Sequence, residues 1–169
     1  MQHCVNIIVT AGLSDKKLRS KLLGLTHCKQ IKKIYLIRRT PLTNSDNKNI
    51  VNLNPPNSIV NSFLLYEIWR LYKMSTTLFA HSIHMLYAIQ LIPHSFHTYI
   101  CSIVFNKPIV LSVIGDDVHI HLKNSFIRPV LKKVIRKASF ITALGPRSTK
   151  QITSTGFAKN RIIKILNYI

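Results

Sequence analysis

The run Pro108–Ile114 (PIVLSVI) limits the fold most sharply. Its aliphatic residues fall on both alternating faces, so a strand here must be covered on both sides, as in a parallel sheet layered with helices. Other segments fit that frame. Cys4–Thr10 (CVNIIVT) and Ile31–Ile37 (IKKIYLI) are β-branched, apolar strands. Ala11-Gly12 turns the chain between them, and Ser14 and Asp15 open a helix that carries Leu18, Leu22, Leu23 and Leu25. Ile50–Leu53 is a short strand stopped by Pro55-Pro56, and apolar residues at helical spacing predict a helix over 58–73. Thr77–Ala80 (TLFA) is read as the fourth strand, with His81–His84 as a loop leading into a helix that Pro93 interrupts.

The second half is plainer. Gly115-Asp116-Asp117 follows the strand Pro108–Ile114. Phe126–Lys137 is a basic amphipathic helix with an apolar stripe of Ile127, Val130, Leu131, Val134 and Ile135. Ser139–Ala143 is a strand, Pro146 opens a helix that Gly156 closes, and Arg161–Leu166 is the last strand. This alternation predicts an α/β, three-layer, Rossmann-like parallel sheet of six or seven strands in a single domain, 1–169, with helices on both faces. Ligands of such sheets bind at the carboxyl ends of the strands. That rule singles out Thr10–Ser14, His81–His84 and Gly115–His121.

Charge suits either an anionic partner or the Lys-rich codon usage of an AT-rich genome. Lys and Arg number 24 against five acids, a net charge of +19. Nucleic acid is not favoured: there is no helix-turn-helix pattern, zinc finger or aromatic–basic interleaving. Arg128, Lys132 and Arg136 recur every fourth residue, with Lys133 and Lys137 beside them, and this stripe suits either solvent or an anionic membrane surface. Residues 74–106 lack any Lys, Arg, Asp or Glu, but His81, His84, Pro93, His94 and His97 interrupt them, so they read as core rather than as a membrane span. Met1–Thr10 lacks a basic leader, which leads us to expect a cytoplasmic chain, peripheral to the inner membrane face if it touches one. The three cysteines, Cys4, Cys28 and Cys101, are far apart and suggest neither a disulfide framework nor a metal site. P-loop, G-x-S-x-G and G-x-G-x-x-G motifs are absent, against NTPase, hydrolase and dinucleotide readings.

Taken in order, PIVLSVIGDDVH, IRPVLKKVIRKASFITALGPRSTKQITSTGF and NRIIKILNYI resemble the N-terminal domain of family 4 glycosyltransferases, which have the two-Rossmann GT-B architecture. The likeness covers residues 77–169 well and 1–76 loosely. It implies that Gly12 is the turn glycine after the first strand, and that His81 is the second His of an H-x-H after the fourth. Gly115 and Asp117 match the Gly and Asp of H-G-x-D, and Asn167 the hinge before a second domain. Ile114 and Phe79 stand where the family has histidines.

On this resemblance Asp117 is the catalytic candidate, and Gly12, His81, Gly115 and Asp116 are substrate-binding, with no metal. Asp116 and Asp117 equally suit a loop and helix cap. The resemblance places the nucleotide-sugar in a C-terminal domain, held by a Glu-x7-Glu pair. This chain has one glutamate, Glu67, so no cofactor or donor is expected on it alone. The expected partners are a sugar acceptor, lipid-linked or glycan, and a donor domain. The chain is then a fragment, a truncated product or the binding subunit of a split enzyme.

Overall fold

The computed structural model describes residues 4–43, 47–114 and 117–165. Seven parallel strands form one sheet: β1 (Val5–Ala11), β2 (Ile31–Ile37), β3 (Ile50–Leu53), β4 (Met85–Ile89), β5 (Ile109–Val113), β6 (Phe140–Leu144) and β7 (Ile162–Ile165). Their order is β3-β2-β1-β4-β5-β6-β7, every neighbouring pair parallel. The expected Rossmann-like α/β domain is the observed one.

Period-2 alternation divides the strand residues between two cores. Ile7, Val9, Ile34, Leu36, Tyr87 and Ile89 pack against Leu18 and Leu22 of α1 (Asp15–Thr26). Ile8, Tyr35, Ile37 and Leu86 face the other way, onto Met74 and Leu78 of α3 (Phe63–Ala80) and Cys101 of α4 (His94–Phe105). That side continues over β5 and β6, where Ile109, Leu111, Ile141 and Ala143 meet Leu131, Val134 and Ile135 of α6 (Arg128–Lys137). α5 (Asp117–Lys123) and α7 (Gly145–Ser154) add Val118 and Ile152 to the same cluster. Helices therefore cover both faces unevenly, with α1 alone on the first among the described residues.

Two expected elements are corrected. The helix over 58–73 is two helices, α2 (Asn57–Val60) and α3, and α3 runs on to Ala80. Thr77–Ala80 is thus the last turn of a helix. Arg70, Met74, Thr77 and Leu78 are buried at three- and four-residue spacing, so one stripe holds the helix down to its end. The fourth strand is Met85–Ile89, inside the stretch read as a loop and a helix, and Pro93 precedes α4 rather than interrupting it. Smaller differences concern Ser14, which makes no side-chain cap bond, and Val130, which is 46% exposed instead of joining the stripe of α6.

Candidate functional site

The chain leaves β1 toward β2 on one side and leaves β4 toward β5 on the other, although β1 and β4 are hydrogen-bonded neighbours. The connections diverge and leave a crevice at the carboxyl edge, the place where open α/β sheets bind ligands. A cleft of about 320 Å³ opens there. Ala11 and Gly12 line it from β1, Pro93 and His94 from the turn after β4, Arg38 and Arg39 from the end of β2, and Tyr66, Glu67 and Arg70 from α3.

Gly12 is required by close approach. A Cβ there would lie 2.7 Å from Gln90 Oε1 and 2.7 Å from His94 Nε2. Gln90 holds a left-handed conformation, φ 78°, at the end of β4, which costs of order 1–3 kcal/mol in a non-glycine residue and bends the chain into the crevice.

Arg38 ties the rim together. Its Nη1 donates to Asp15 Oδ1 at 2.6 Å, and its Nη2 donates to the Leu13 carbonyl at 3.0 Å and to Thr40 Oγ1 at 3.1 Å. Asp15 also accepts from the Thr43 hydroxyl at 2.7 Å, and the Thr43 and Arg38 hydrogen bonds hold its carboxyl down to about 2.

The deeper groups are less well matched. Arg70, 3% exposed, brings Nη1 to 2.8 Å from Glu67 Oε2, yet neither atom makes a well-directed hydrogen bond, and Arg70 Nε has no partner either. His94 Nδ1 is likewise buried without a partner, and the Tyr66 hydroxyl has none of good geometry, though Arg70 lies close enough to it to oppose the rise of its pKa. The guanidinium carbons of Arg39 and Arg70 lie 4.8 Å and 4.6 Å from the Tyr66 ring centre. Burial raises the pKa of Glu67 and of Tyr66. It pushes His94 well below the usual histidine range, and burial with the Arg70 charge pushes His97 down to about 4. His97 faces Glu67 through Nε2 at 3.4 Å and the Pro93 carbonyl through Nδ1 at 3.1 Å.

The sign of the resulting pH effect follows from His97. An unfolded histidine takes up its proton near pH 6.5, the folded one only near 4, so the stability linked to the neutral ring is present above about 6.5 and is lost as pH falls through 4. Glu67 shifts in the opposite sense, so the test is a difference. Relative to the parent, His97→Gln should gain on the order of 2–3 kcal/mol between pH 7 and pH 4, read from urea unfolding at each pH.

Of the residues singled out by sequence, Gly12 lies in this crevice. His81 does not: it follows α3 and precedes β4, at the amino end of that strand, where its ring stacks on Tyr35 at 4.7 Å. The correction of the fourth strand therefore moves His81 away from the ligand edge, and it is His94 that follows β4. Asp117 opens α5 beyond β5 and does not line the cleft. Burial raises its pKa against the pull of His121 and the backbone of Leu91 and Ile114, and its Oδ2 is without a partner. Gly115, Asp116 and Asn167 lie outside the described residues. Among the described residues, no group of three or more His, Cys, Asp or Glu is placed to hold a metal ion.

No family model matches the chain, and no curated protein matches it. Solved structures do. HepE from Anabaena, in complex with UDP and glucose, superposes with a TM-score of 0.67 at 14% identity, over 98% of this chain and 45% of that one. The lipopolysaccharide outer core galactosyltransferase WaaB, apo form, gives 0.63 at 14% identity over 97% and 46%. UDP-GlcNAc 2-epimerase from Methanocaldococcus jannaschii gives 0.62 at 11% identity over 95% and 45%. The chain thus spans less than half the length of each. It has the fold of one half of the GT-B architecture, found in a transferase and in an epimerase alike, so the fold leaves the chemistry open.

Proposed function

We propose that the chain is the acceptor-side half of a glycosyltransferase resembling family 4, and that the crevice between β1 and β4 receives the sugar acceptor. The observation that carries this reading is the set of buried, unpartnered polar groups at the cleft: the Tyr66 hydroxyl, Arg70 Nε and His94 Nδ1. Such groups are costly to leave unsatisfied, and a polyhydroxylated ligand supplies both donors and acceptors for them. The donor nucleotide-sugar is assigned to a second domain, in the same polypeptide or in a partner chain for which this one is the binding subunit. Asp117 is assigned to the catalytic step, and its sequence neighbours Gly115 and Asp116 to substrate binding.

The test is titration of the chain with neutral monosaccharides and with nucleotide-sugar. Sugar binding that Gly12→Ala removes, with no nucleotide-sugar binding and no turnover by the chain alone, is the expected outcome. Tight nucleotide-sugar binding by the chain alone would contradict the assignment.

The acceptor is assigned to a membrane surface on separate grounds. No helix among the described residues is long and apolar enough to cross a bilayer. Yet α3 exposes Ile68, Tyr72 and Phe79, and α4 exposes Ile100, Ile103 and Val104. Phe79, 82% exposed, meets Phe105 edge-on at 4.8 Å and joins the two helices into one patch. α6 lies beside α4 with Arg128, Lys133, Arg136 and Lys137 exposed and Lys132 half-buried. Arg136 is partly engaged, donating to the Thr155 carbonyl at 2.9 Å. An apolar patch with a cationic border suits an anionic bilayer, each cation contributing about 1 kcal/mol near the surface. Vesicles with anionic lipid should sediment the chain at low salt and release it as the Debye length shrinks. Replacing Arg128, Lys132, Lys133 and Lys137 by Gln should abolish sedimentation without lowering Tm. Equal binding to neutral vesicles would refute the electrostatic part.

A further inference from the structure

Arg70 contributes two cationic donors, Nε and Nη1, to the unsatisfied atoms of the cleft, beside the Tyr66 hydroxyl, His94 Nδ1 and Glu67 Oε2. Arg38 is tied to Asp15, Leu13 and Thr40 by three hydrogen bonds. Arg39 and Arg70 are left with one carboxylate between them, Glu67, and the approach of Arg70 to it is short but badly directed. A guanidinium carries five N–H donors in a planar fork, so one misaligned carboxylate oxygen leaves most of that capacity unused. Burying a charged group in that state costs more than burying a neutral one, and the cost is relieved when an acceptor-rich anion docks. His94, 3% exposed and with Nδ1 unpartnered, borders the same space.

The Tyr66 ring sets the spacing. Both guanidinium carbons lie within 4.8 Å of its centre, so two cationic forks are held by one rigid aromatic plate, one buried on α3 and the other exposed at the end of β2. The tyrosine hydroxyl adds a neutral donor beside them. Planar forks match the paired oxygens of carboxylates and phosphates, which a lysine at the same place would not do. At about 320 Å³ the cleft is larger than a single inorganic anion needs and has room for the group that bears it.

We infer that this cleft binds an oxyanion, the phosphate or carboxylate of an acidic acceptor, with Arg70 and Arg39 as its donors and Tyr66 as the plate that positions them. The inference deepens the acceptor reading above and rests on it: the acceptor is negatively charged, and the charge docks on α3 and the β2 loop while the sugar ring faces Gly12.

Calorimetry of the full chain at fixed ionic strength tests it with three probes: inorganic phosphate, glucuronic acid and glucose. Phosphate or glucuronate should bind at a single site, and Arg39→Gln should weaken that binding at least fivefold without lowering Tm, because Arg39 is exposed. Arg70→Lys keeps the charge but removes the fork and should weaken it similarly. Preference between phosphate and glucuronate identifies which oxyanion the acceptor carries, and either one supports the inference. Arg128→Gln with Lys133→Gln, on α6, controls for general attraction to a chain of net charge +19. If that pair weakens anion binding as much as Arg39→Gln does, the inference is overturned. Glucose binding without anion binding overturns it as well and leaves the acceptor reading standing, whereas the absence of all three takes both down.

Discussion

Arg70→Leu should destabilise the domain by about 3–5 kcal/mol at neutral pH, more than any exposed substitution. The reason is the partner left behind. Glu67 is held in a half-buried position on α3 with burial already raising its pKa, and the largest force opposing that rise is the charge of Arg70. Removing one member of a buried pair leaves the other uncompensated, and that, rather than the lost attraction, sets the magnitude. Two consequences separate this account from simple loss of packing. The deficit should shrink as pH falls through the new, higher pKa of Glu67, since the protonated carboxyl no longer needs a counter-charge. The double variant Arg70→Leu with Glu67→Leu should recover much of the loss at pH 7, because apolar residues of similar size often replace buried ion pairs at little cost. Urea unfolding of the three chains at pH 7 and pH 5 reads all of this. A deficit of the same size at both pH values would assign it to packing alone.

Gly12→Ala should lower stability by about 1–3 kcal/mol and reduce acceptor affinity at least tenfold. The added methyl meets two side chains at 2.7 Å, closer than any real contact. Gln90 can swing its amide away. The ring of His94 cannot yield as easily: it is buried and stands at the first position of α4. Relief must come from moving the turn between β4 and α4 or the end of β1, and either movement displaces residues that line the crevice. Gly24→Ala is the matching control, since a Cβ there meets nothing within 4 Å, and in the last turn of α1 it should add up to about 1 kcal/mol of stability. Loss of affinity without loss of stability in Gly12→Ala would mean that the glycine serves only ligand access.

The parts of the fold that could be read from the chain are those where a β-branched run is bounded by clear breakers. Ile31–Ile37 ends at charged residues and a proline, Ile50–Leu53 at Pro55-Pro56, and both strands appear at those bounds. Residues 74–92 offer no such punctuation. Short apolar runs there fit a strand or a buried helix equally, and periodicity over four residues cannot choose. The helical stripe of Tyr66, Arg70, Met74 and Thr77 was the better guide, but a buried arginine hides it, because charged residues are assigned to the solvent side.

The position of the fourth strand decides which histidine reaches the site. A strand at Thr77–Ala80 brings His81 to the ligand edge, whereas the strand at Met85–Ile89 brings His94 there. Glu67 carried a local signal of its own: it is the one glutamate, and Arg70 lies three residues on, at ion-pair spacing. What no local pattern contains is the pairing of β1 with β4, which turns Gly12 and His94 into neighbours.

Backbone amide mapping by NMR during titration with the tightest-binding sugar tests the acceptor crevice most directly. The largest shifts should fall at Gly12, Gln90, His94 and Arg70, with little change at His81 or on α6. Shifts concentrated instead around Thr149, Lys150 and Thr153, which line the separate cleft beside β7, would contradict the account.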